Sequence, residues 1–295
     1  EQICLNEQIL KVGEGDSDIR KTSSLPRWFG MKDGVPVIMF HEESEEGEES
    51  SRMTASEPYT VLFRAETDND SINFIAKPMR KWYDEKSTLL GCKQSEDRAV
   101  TEWAVKVNKR TFLCSDLYEG CTMPDGKEGV LVTSLLHPLR VKGKLPRFGK
   151  AFRLDGSFTG VRYLGRCGES YIDVEEQYPV KECECTVDDM TEPNIRPQES
   201  GNRCDTRYAQ LSDGKNTIRF TAVDKPFELG IKPYSDTELI KMNHRKDELK
   251  SGTYVTINAF QQGIGTGSCG PYTLDEHCYD ASKDYMLRFV ITRES

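Results

Sequence analysis

Apolar and polar positions alternate in short runs along most of the chain, and these runs are rich in β-branched and aromatic residues. YTVLFRAE (59–66), VTEWAVKVN (100–108), GVLVTSLL (129–136), FRLDGSFTGVRYLG (152–165), NTIRFTAV (216–223), TYVTINAF (253–260) and YMLRFVITR (285–293) read as strands. Asp-Gly pairs at 33–34, 125–126, 155–156 and 213–214 offer the positive-φ positions of tight hairpins, which predicts antiparallel pairing. One helix is predicted in YSDTELIKMNHRKDELKSG (234–252). Ser235 and Glu238 stand there at capping-box spacing, Gly252 can stop the helix, and Leu239, Met242 and Leu249 lie near one face. A shorter helix is expected around Trp82. The fold class is all-β with one or two short helices. Residues 1–30 lack periodicity and read as an irregular arm, leaving 31–295 as one domain.

Composition narrows the class. The 295 residues include 40 Lys+Arg against 49 Asp+Glu, a formal charge of −9, which argues against a duplex nucleic-acid binder because phosphate neutralisation needs a basic surface. No apolar run approaches the roughly 20 residues that span a bilayer, so no membrane span is expected. HEESEEGEESS (41–51) reads as a solvated loop, since adjacent like charges repel and stay hydrated. Ten cysteines (4, 92, 114, 121, 167, 183, 185, 204, 269 and 278) suggest disulfides and a secreted, extracellular protein. Cys183 and Cys185, two apart on a strand, are expected to reach separate disulfide partners. Cys4 pairs either within the chain or across a homodimer, and no leader is visible after Glu1.

Familiar catalytic motifs are missing. Gly265-Thr266-Gly267-Ser268-Cys269-Gly270 has the spacing of a dinucleotide fingerprint, but Pro271 follows where a helix is required. Neither a P-loop, nor H-E-x-x-H, nor a nucleophile elbow occurs. Zinc is not expected from a single C-x-C and four scattered histidines. Acidic and amide residues instead gather at TDND (67–70), GESYID (168–173) and PQESGNRCDTR (197–207). Each alone is an ordinary polar turn, while together they offer oxygen ligands and fixed donors suited to a sugar or Ca²⁺.

At these residues the sequence resembles the C-terminal domain, or small chain, of family 2 β-galactosidases. FRAETDND (63–70) resembles that family's R-x-P-T-D-N-D, with Glu66 in place of the proline and Trp82 following at about the family distance. LPRFG (145–149) resembles L-P-R-x-G, and YLGRCGESYID (163–173) resembles Y-x-G-R-G-P-x-E-x-Y-x-D. IRPQESGNRCDTR (195–207) resembles P-Q-E-N-G-N-R-x-D-V-R, and YSDTELIKMNHR (234–245) and GIGTGSCGPYTL (263–274) resemble the closing helix and loop. The resemblance implies a large antiparallel super-sandwich shared with galactose mutarotases, two twisted sheets packed face to face. It also implies that the catalytic carboxylates belong to a separate barrel domain, for which this chain has no room, so it is expected not to act as an enzyme alone and to hold no catalytic residue.

Two functions follow from the resemblance. The first is a galactose-specific lectin that binds terminal galactose or lactose of glycans without hydrolysing it, like the sea-anemone galactose lectin built on this domain. The alternative is the small subunit of a heteromeric β-galactosidase. The cysteines favour the lectin, and the S-C-G-P form of the closing loop favours the subunit. For the lectin, Arg64, Asp68, Asn69, Glu169, Tyr171, Gln198, Glu199, Asn202, Arg203 and Tyr272 are the expected sugar-binding residues. Glu169, Asp173, Glu199, Asn202 and Asp205 are the expected Ca²⁺ ligands, because calcium takes about 6–8 oxygens and lets sugar hydroxyls replace waters. Arg64 and Arg203 can instead be structural, each paired with an Asp of its own motif. An aromatic platform for the sugar is expected from Trp82, Trp103, Tyr171 or Tyr272, the two tryptophans being better suited to the core. Weak single sites joined in a dimer gain avidity.

Overall fold

The computed structural model describes residues 19–43, 49–72, 79–244, 250–264 and 272–294. In chain order its strands are β1 (Arg20–Lys21), β2 (Phe29–Lys32), β3 (Val35–Glu43), β4 (Glu49–Val61), β5 (Glu85–Gln94), β6 (Arg98–Val107), β7 (Arg110–Thr122), β8 (Glu128–Pro138), β9 (Lys144–Leu145) and β10 (Arg147–Leu154). They continue as β11 (Gly160–Arg166), β12 (Val180–Thr186), β13 (Arg203–Thr206), β14 (Tyr208–Ser212), β15 (Thr217–Ala222), β16 (Phe227–Lys232), β17 (Thr253–Gln261), β18 (Tyr279–Asp280) and β19 (Tyr285–Glu294). Two short helices, α1 (Asp68–Ile72) and α2 (Asp236–Leu239), and a 3₁₀ turn at Met79–Trp82 interrupt them.

The strands form a ten-stranded sheet in the order β12-β11-β14-β15-β19-β8-β7-β6-β5, with β1 added alongside β7, and a seven-stranded sheet in the order β13-β16-β17-β10-β4-β3-β2. Neighbours are antiparallel throughout, as in β7 against β8 and β10 against β17. The two sheets share one hydrophobic core. Phe152 of the smaller sheet packs on Phe220 and Phe289 of the larger at 4.9 and 6.0 Å between ring centres, and Phe112, Tyr118, Ile218, Leu229, Val255 and Ile257 are buried with them. This is the all-β sandwich the alternating runs require, because each half-apolar sheet must cover its inner face.

Turn chemistry places some connections as expected. Asp33 and Gly34 both take positive φ, 52° and 78°, and close the two-residue hairpin in which Lys32 faces Val35. The pairs at 125–126 and 213–214 close β7–β8 and β14–β15 with only the glycine at positive φ. The pair at 155–156 does something else. Neither Asp155 nor Gly156 has positive φ, β10 and β11 lie in different sheets, and the buried Phe158 anchors the crossing through its amide on Asp155 O. The run 152–165 is thus a passage between layers rather than a hairpin.

Two further expectations change. The strand over 59–66 stops at Val61, because the next amides are taken by side chains: Leu62 N–H donates to Glu85 Oε2 (2.9 Å) and Glu66 N–H to Tyr83 Oη (2.7 Å). The helix over 234–252 is one turn among the described residues. Its capping box is formed as predicted, but Glu238 Oε2 also accepts from Ser251 Oγ (2.9 Å), and Ser251 N–H donates to Pro233 O (3.0 Å), drawing the chain back into a loop. Leu239 is buried and Met242 packs beside it, while Leu249 lies outside the described residues.

Residues 19–30 are joined to the sheets. Arg20 and Lys21 pair with Thr122 and Cys121, and Phe29 enters the core against Tyr118. The rest of the expected arm, Cys4 included, lies outside the described residues, as do 44–48 of the acidic run and the glycine-rich stretch 265–270. The disulfide framework is not formed among the described residues: Cys92, Cys114, Cys121, Cys167, Cys183, Cys185, Cys204 and Cys278 are all free. Cys183 Sγ lies 3.7 Å from Lys181 O and Cys185 Sγ 3.6 Å from Met190 Sδ, so neither meets a cysteine partner. These free thiols remove the cysteine-based argument for secretion. Among the described residues no helix is long and apolar enough to cross a membrane.

Candidate functional site

The segment that follows β4 builds one wall of an open cleft. Thr67 caps α1, and Asp70 answers it by accepting from Thr67 N–H (2.8 Å) and Oγ1 (2.9 Å), a T-D-N-D version of the capping box. The same Asp70 carboxylate takes Arg64 as a fork, at 2.6 Å to Nη1 and 3.3 Å to Nη2. Arg64 is fully buried; burial opposes the charge on both partners, yet the pairing holds Asp70 below the usual carboxylate range and Arg64 above its own. Arg64 therefore supports the wall from beneath, the structural role open to it from the sequence.

The opposite wall is the 191–202 segment, which connects β12 to β13 largely without regular structure. Side chains tie it across 130 residues of sequence: Asp68 N–H donates to Gln198 Oε1 (2.8 Å) and Gln198 Nε2 donates to Asp68 Oδ2 (3.3 Å). The floor comes from the end of β17. Asn69 Nδ2 donates to Ile264 O (3.1 Å), and Ile264 N–H donates to Asp173 Oδ1 (3.1 Å). A Cβ at Gly263 would sit 2.5 Å from the Asp173 carboxyl carbon, so any other residue here would displace that carboxylate. The resulting cleft holds about 210 Å³ and is lined by Thr67, Asp68, Asn69, Glu169, Glu192, Asn194, Gln198, Glu199 and Ile264.

Five of the expected sugar-binding residues, Asp68, Asn69, Glu169, Gln198 and Glu199, thus converge from three distant segments. The other five do not line the cleft. Arg64 lies below it; Tyr171 is buried and donates to Glu169 Oε1 (3.0 Å). Asn202 is buried, its Nδ2 donating to Ser170 O (2.9 Å) and Glu228 Oε2 (2.8 Å). Arg203 is buried against Tyr163 Oη (3.1 Å), and Tyr272 donates to Gln262 Oε1 (3.1 Å) while Lys144 covers its ring at 4.5 Å. The aromatic platform is corrected as well. Among the described residues no aromatic side chain lines the cleft; Trp82 is buried against Phe112, and Trp103 donates to Thr101 Oγ1.

The calcium set is corrected by the same geometry. Asp205 is forked by Arg166, Asp173 serves the Ile264 amide, Asn202 serves Ser170 and Glu228, and Glu169 serves Tyr171. Glu199 is held by cations, with Oε2 at 2.7 Å from Lys232 Nζ and 3.3 Å from Arg147 Nη2. Among the described residues no group of three or more His, Cys, Asp or Glu side chains could hold a metal ion. Burial raises the Glu169 carboxyl, with the Tyr171 hydroxyl partly offsetting it.

Beneath the cleft lies a cluster that motif reading did not assign to the site. Arg147 reaches Glu199 and Asp236, and Lys232 reaches the same two carboxylates, Asp236 at 2.7 Å. Burial disfavours the Asp236 charge, but Arg147 and Lys232 override it and hold the carboxyl low. Glu228 is pushed by burial up to about 7, despite bonds from Asn202 Nδ2 and the Gln261 amide (3.1 Å). The available signal was a basic residue at the end of each of two largely buried strands, Arg147 at the start of β10 and Lys232 at the end of β16. A second cavity of about 220 Å³ includes Thr186, Val187, Lys250 and Thr253; it lies at the other end of β17 from the cleft and contains no expected site residue.

The comparisons bear on these segments together. The family model described as "Beta galactosidase small chain" matches residues 41–291, spanning all three cleft segments. The protein named β-galactosidase from Lactobacillus delbrueckii subsp. bulgaricus is 30% identical over 243 residues, covering 79% of this chain and 23% of its own. The β-galactosidase of Staphylococcus xylosus is 37% identical over 154 residues, 50% of this chain and 15% of its own. The chain therefore spans about a quarter or less of the length of these relatives. Among solved structures, a GalM/aldose epimerase homologue from C. elegans covers 88% of this chain and 95% of its own at 6% identity and a TM-score of 0.42, too low to argue about the site. The lectin reading and its non-enzymatic character are overturned by these relatives, which are β-galactosidases. With its fold, its three motif-bearing cleft segments and the match over 41–291 in agreement, the chain belongs to the β-galactosidase small chain family.

Proposed function

We propose that the chain works as the small-chain portion of a β-galactosidase, in an assembly with a catalytic domain, and that the open polar cleft faces that domain. The observation that carries this reading is the continuous family match over 41–291, which takes in both cleft walls and the floor. The cleft's character supports it. Asp68, Asn69, Asn194 and Gln198 present hydrogen-bonding groups at an opening with no aromatic platform among the described residues, which suits completion of a neighbouring polar site better than capture of a sugar by stacking. In this reading the catalytic domain supplies the two carboxylates that flank a scissile glycosidic bond, and this chain supplies binding and position.

The test is complementation. The purified chain is mixed with a β-galactosidase catalytic fragment lacking its small chain, and hydrolysis of o-nitrophenyl β-galactoside is followed. Turnover well above that of either component alone is expected. If the fragment is no more active with the chain than without it, over a full concentration series, the reading is wrong.

A further inference from the structure

The 191–202 wall has little regular structure, so its position against α1 must be set by side chains. One residue faces the task directly. Arg196 Nη2 lies 3.2 Å from Glu66 Oε1, and its Nη1 lies 3.4 Å from Asp68 Oδ1, so a single guanidinium bridges two carboxylates on the facing wall. Glu66 is well placed to anchor it: its carboxylate is only 9% exposed and is also gripped by Arg80, with Nε at 3.0 and 2.9 Å from the two oxygens. Two residues further on, Gln198 makes its paired bonds to Asp68. The linkage Glu66–Arg196–Asp68–Gln198 thus spans the cleft's two walls at one edge. Where Glu66 stands, the family motif has a proline, which could not supply this anchor.

We infer that Arg196 is a positioning residue: with Glu66 it latches the 191–202 wall against α1 and sets the spacing of the cleft. Its chemistry fits the role, because a planar fork can serve two carboxylates at once whereas a lysine is a point charge. Both arginines are about half exposed, so the latch adds order to a loop more than it adds global stability. Its effect on turnover rests on the small-chain reading proposed above; its effect on the loop does not.

Hydrogen exchange on the isolated full chain tests the latch itself, read at the Asp68 amide that donates to Gln198. Arg196→Ala is expected to speed that exchange by about tenfold or more, with Arg196→Lys intermediate. Glu66→Gln is expected to have a smaller effect, and none when added to Arg196→Ala, because both act through one linkage. Unchanged exchange, or acceleration fully accounted for by a fall in the urea midpoint, overturns the latch. In the complemented enzyme, Arg196→Ala should raise KM for the galactoside with kcat nearly unchanged. Unchanged KM would overturn the claim that cleft spacing matters to the substrate. If the wild-type chain fails to complement, the small-chain reading fails while the exchange result still judges the latch.

Discussion

Two buried ion pairs in this protein look alike and arise differently. Arg64 and Asp70 are six residues apart, pair as a fork, and share their carboxylate with the cap of α1. Lys150 of β10 and Asp116 of β7 come from opposite sheets, meet at 2.6 Å in the middle of the sandwich, and are completed by Ser134 Oγ on Asp116 (2.6 Å) and Thr60 Oγ1 on Lys150 (3.1 Å). The first pair is a local device that shapes one wall of the cleft. The second spans the layers, and only their stacking brings its members together. Both are surrounded by protein, but the local pair is backed by a turn that forms around it, whereas the inter-sheet pair has no such backing.

The largest expected effect is at the inter-sheet pair. Asp116→Ala leaves a buried ammonium without its counter-charge and should cost about 3–5 kcal/mol in urea unfolding, while Lys150→Met with Asp116→Leu should recover most of the loss. Failure of the double variant to recover would show that the pair contributes more than charge compensation.

Next comes a pH effect from two desolvated acids, the buried Glu228 and the half-buried Glu85. Burial raises Glu85 to about 8, in spite of the Leu62 amide it accepts from, and Glu228 to about 7, against an ordinary 4.5. The folded state therefore holds these protons after the unfolded chain has released them. Stability should fall as pH rises from about 4.5 toward 7–8, by up to about 1.4 kcal/mol per pH unit per carboxyl, and level off above. Urea midpoints at pH 5 and 8 should differ less in Glu85→Gln than in the wild type; an equal difference removes Glu85 from the account. Asp70 and Asp236 run the opposite way: their carboxyls are lowered, and the stability they contribute is lost as pH falls below about 4.

At the local pair, Arg64→Lys keeps the charge and loses the fork, for an expected cost of about 1–2 kcal/mol in the same unfolding assay. A loss as large as that of Asp116→Ala would collapse the distinction between the two pairs. The smallest effect belongs to an exposed pair on the outer sheet face. Arg162→Ala, which removes the contact to Glu182, should leave the urea midpoint unchanged.

The same division runs through what could be read in advance. The Ser235–Glu238 capping box and the Asp33-Gly34 hairpin were legible because each is settled by residues within a few positions of one another, whereas the equally local T-D-N-D cap read only as a polar turn. Asp155-Gly156 carries the same dipeptide as the hairpins, yet turns the chain into the other sheet, and nothing within the dipeptide announces that. The cleft was half legible. Its three polar segments stood out, but which side chains face the opening depended on burial. Tyr171, Asn202 and Arg203 have the right chemistry and are committed to Glu169, Ser170, Glu228 and Tyr163 instead. Arg147, Lys232 and Arg196 were not assigned to the site because the carboxylates that tie them to it, Glu199 and Glu66, lie far away in the chain.

By itself the sequence determined the strand periods, the local caps and the family motifs, since alternation and capping act over a few residues and are set by side-chain type. The tertiary structure decided the pairing of distant charges, the layer to which each strand belongs and the face of the cleft. It also decided the state of the cysteines: their number suggested bridges, but the eight described remain free, two of them within β7 and two within β12. The physical reason is common to all of these. A buried charge or thiol takes its role from whatever the packed sheets bring within reach, and that neighbour can be a hundred residues away.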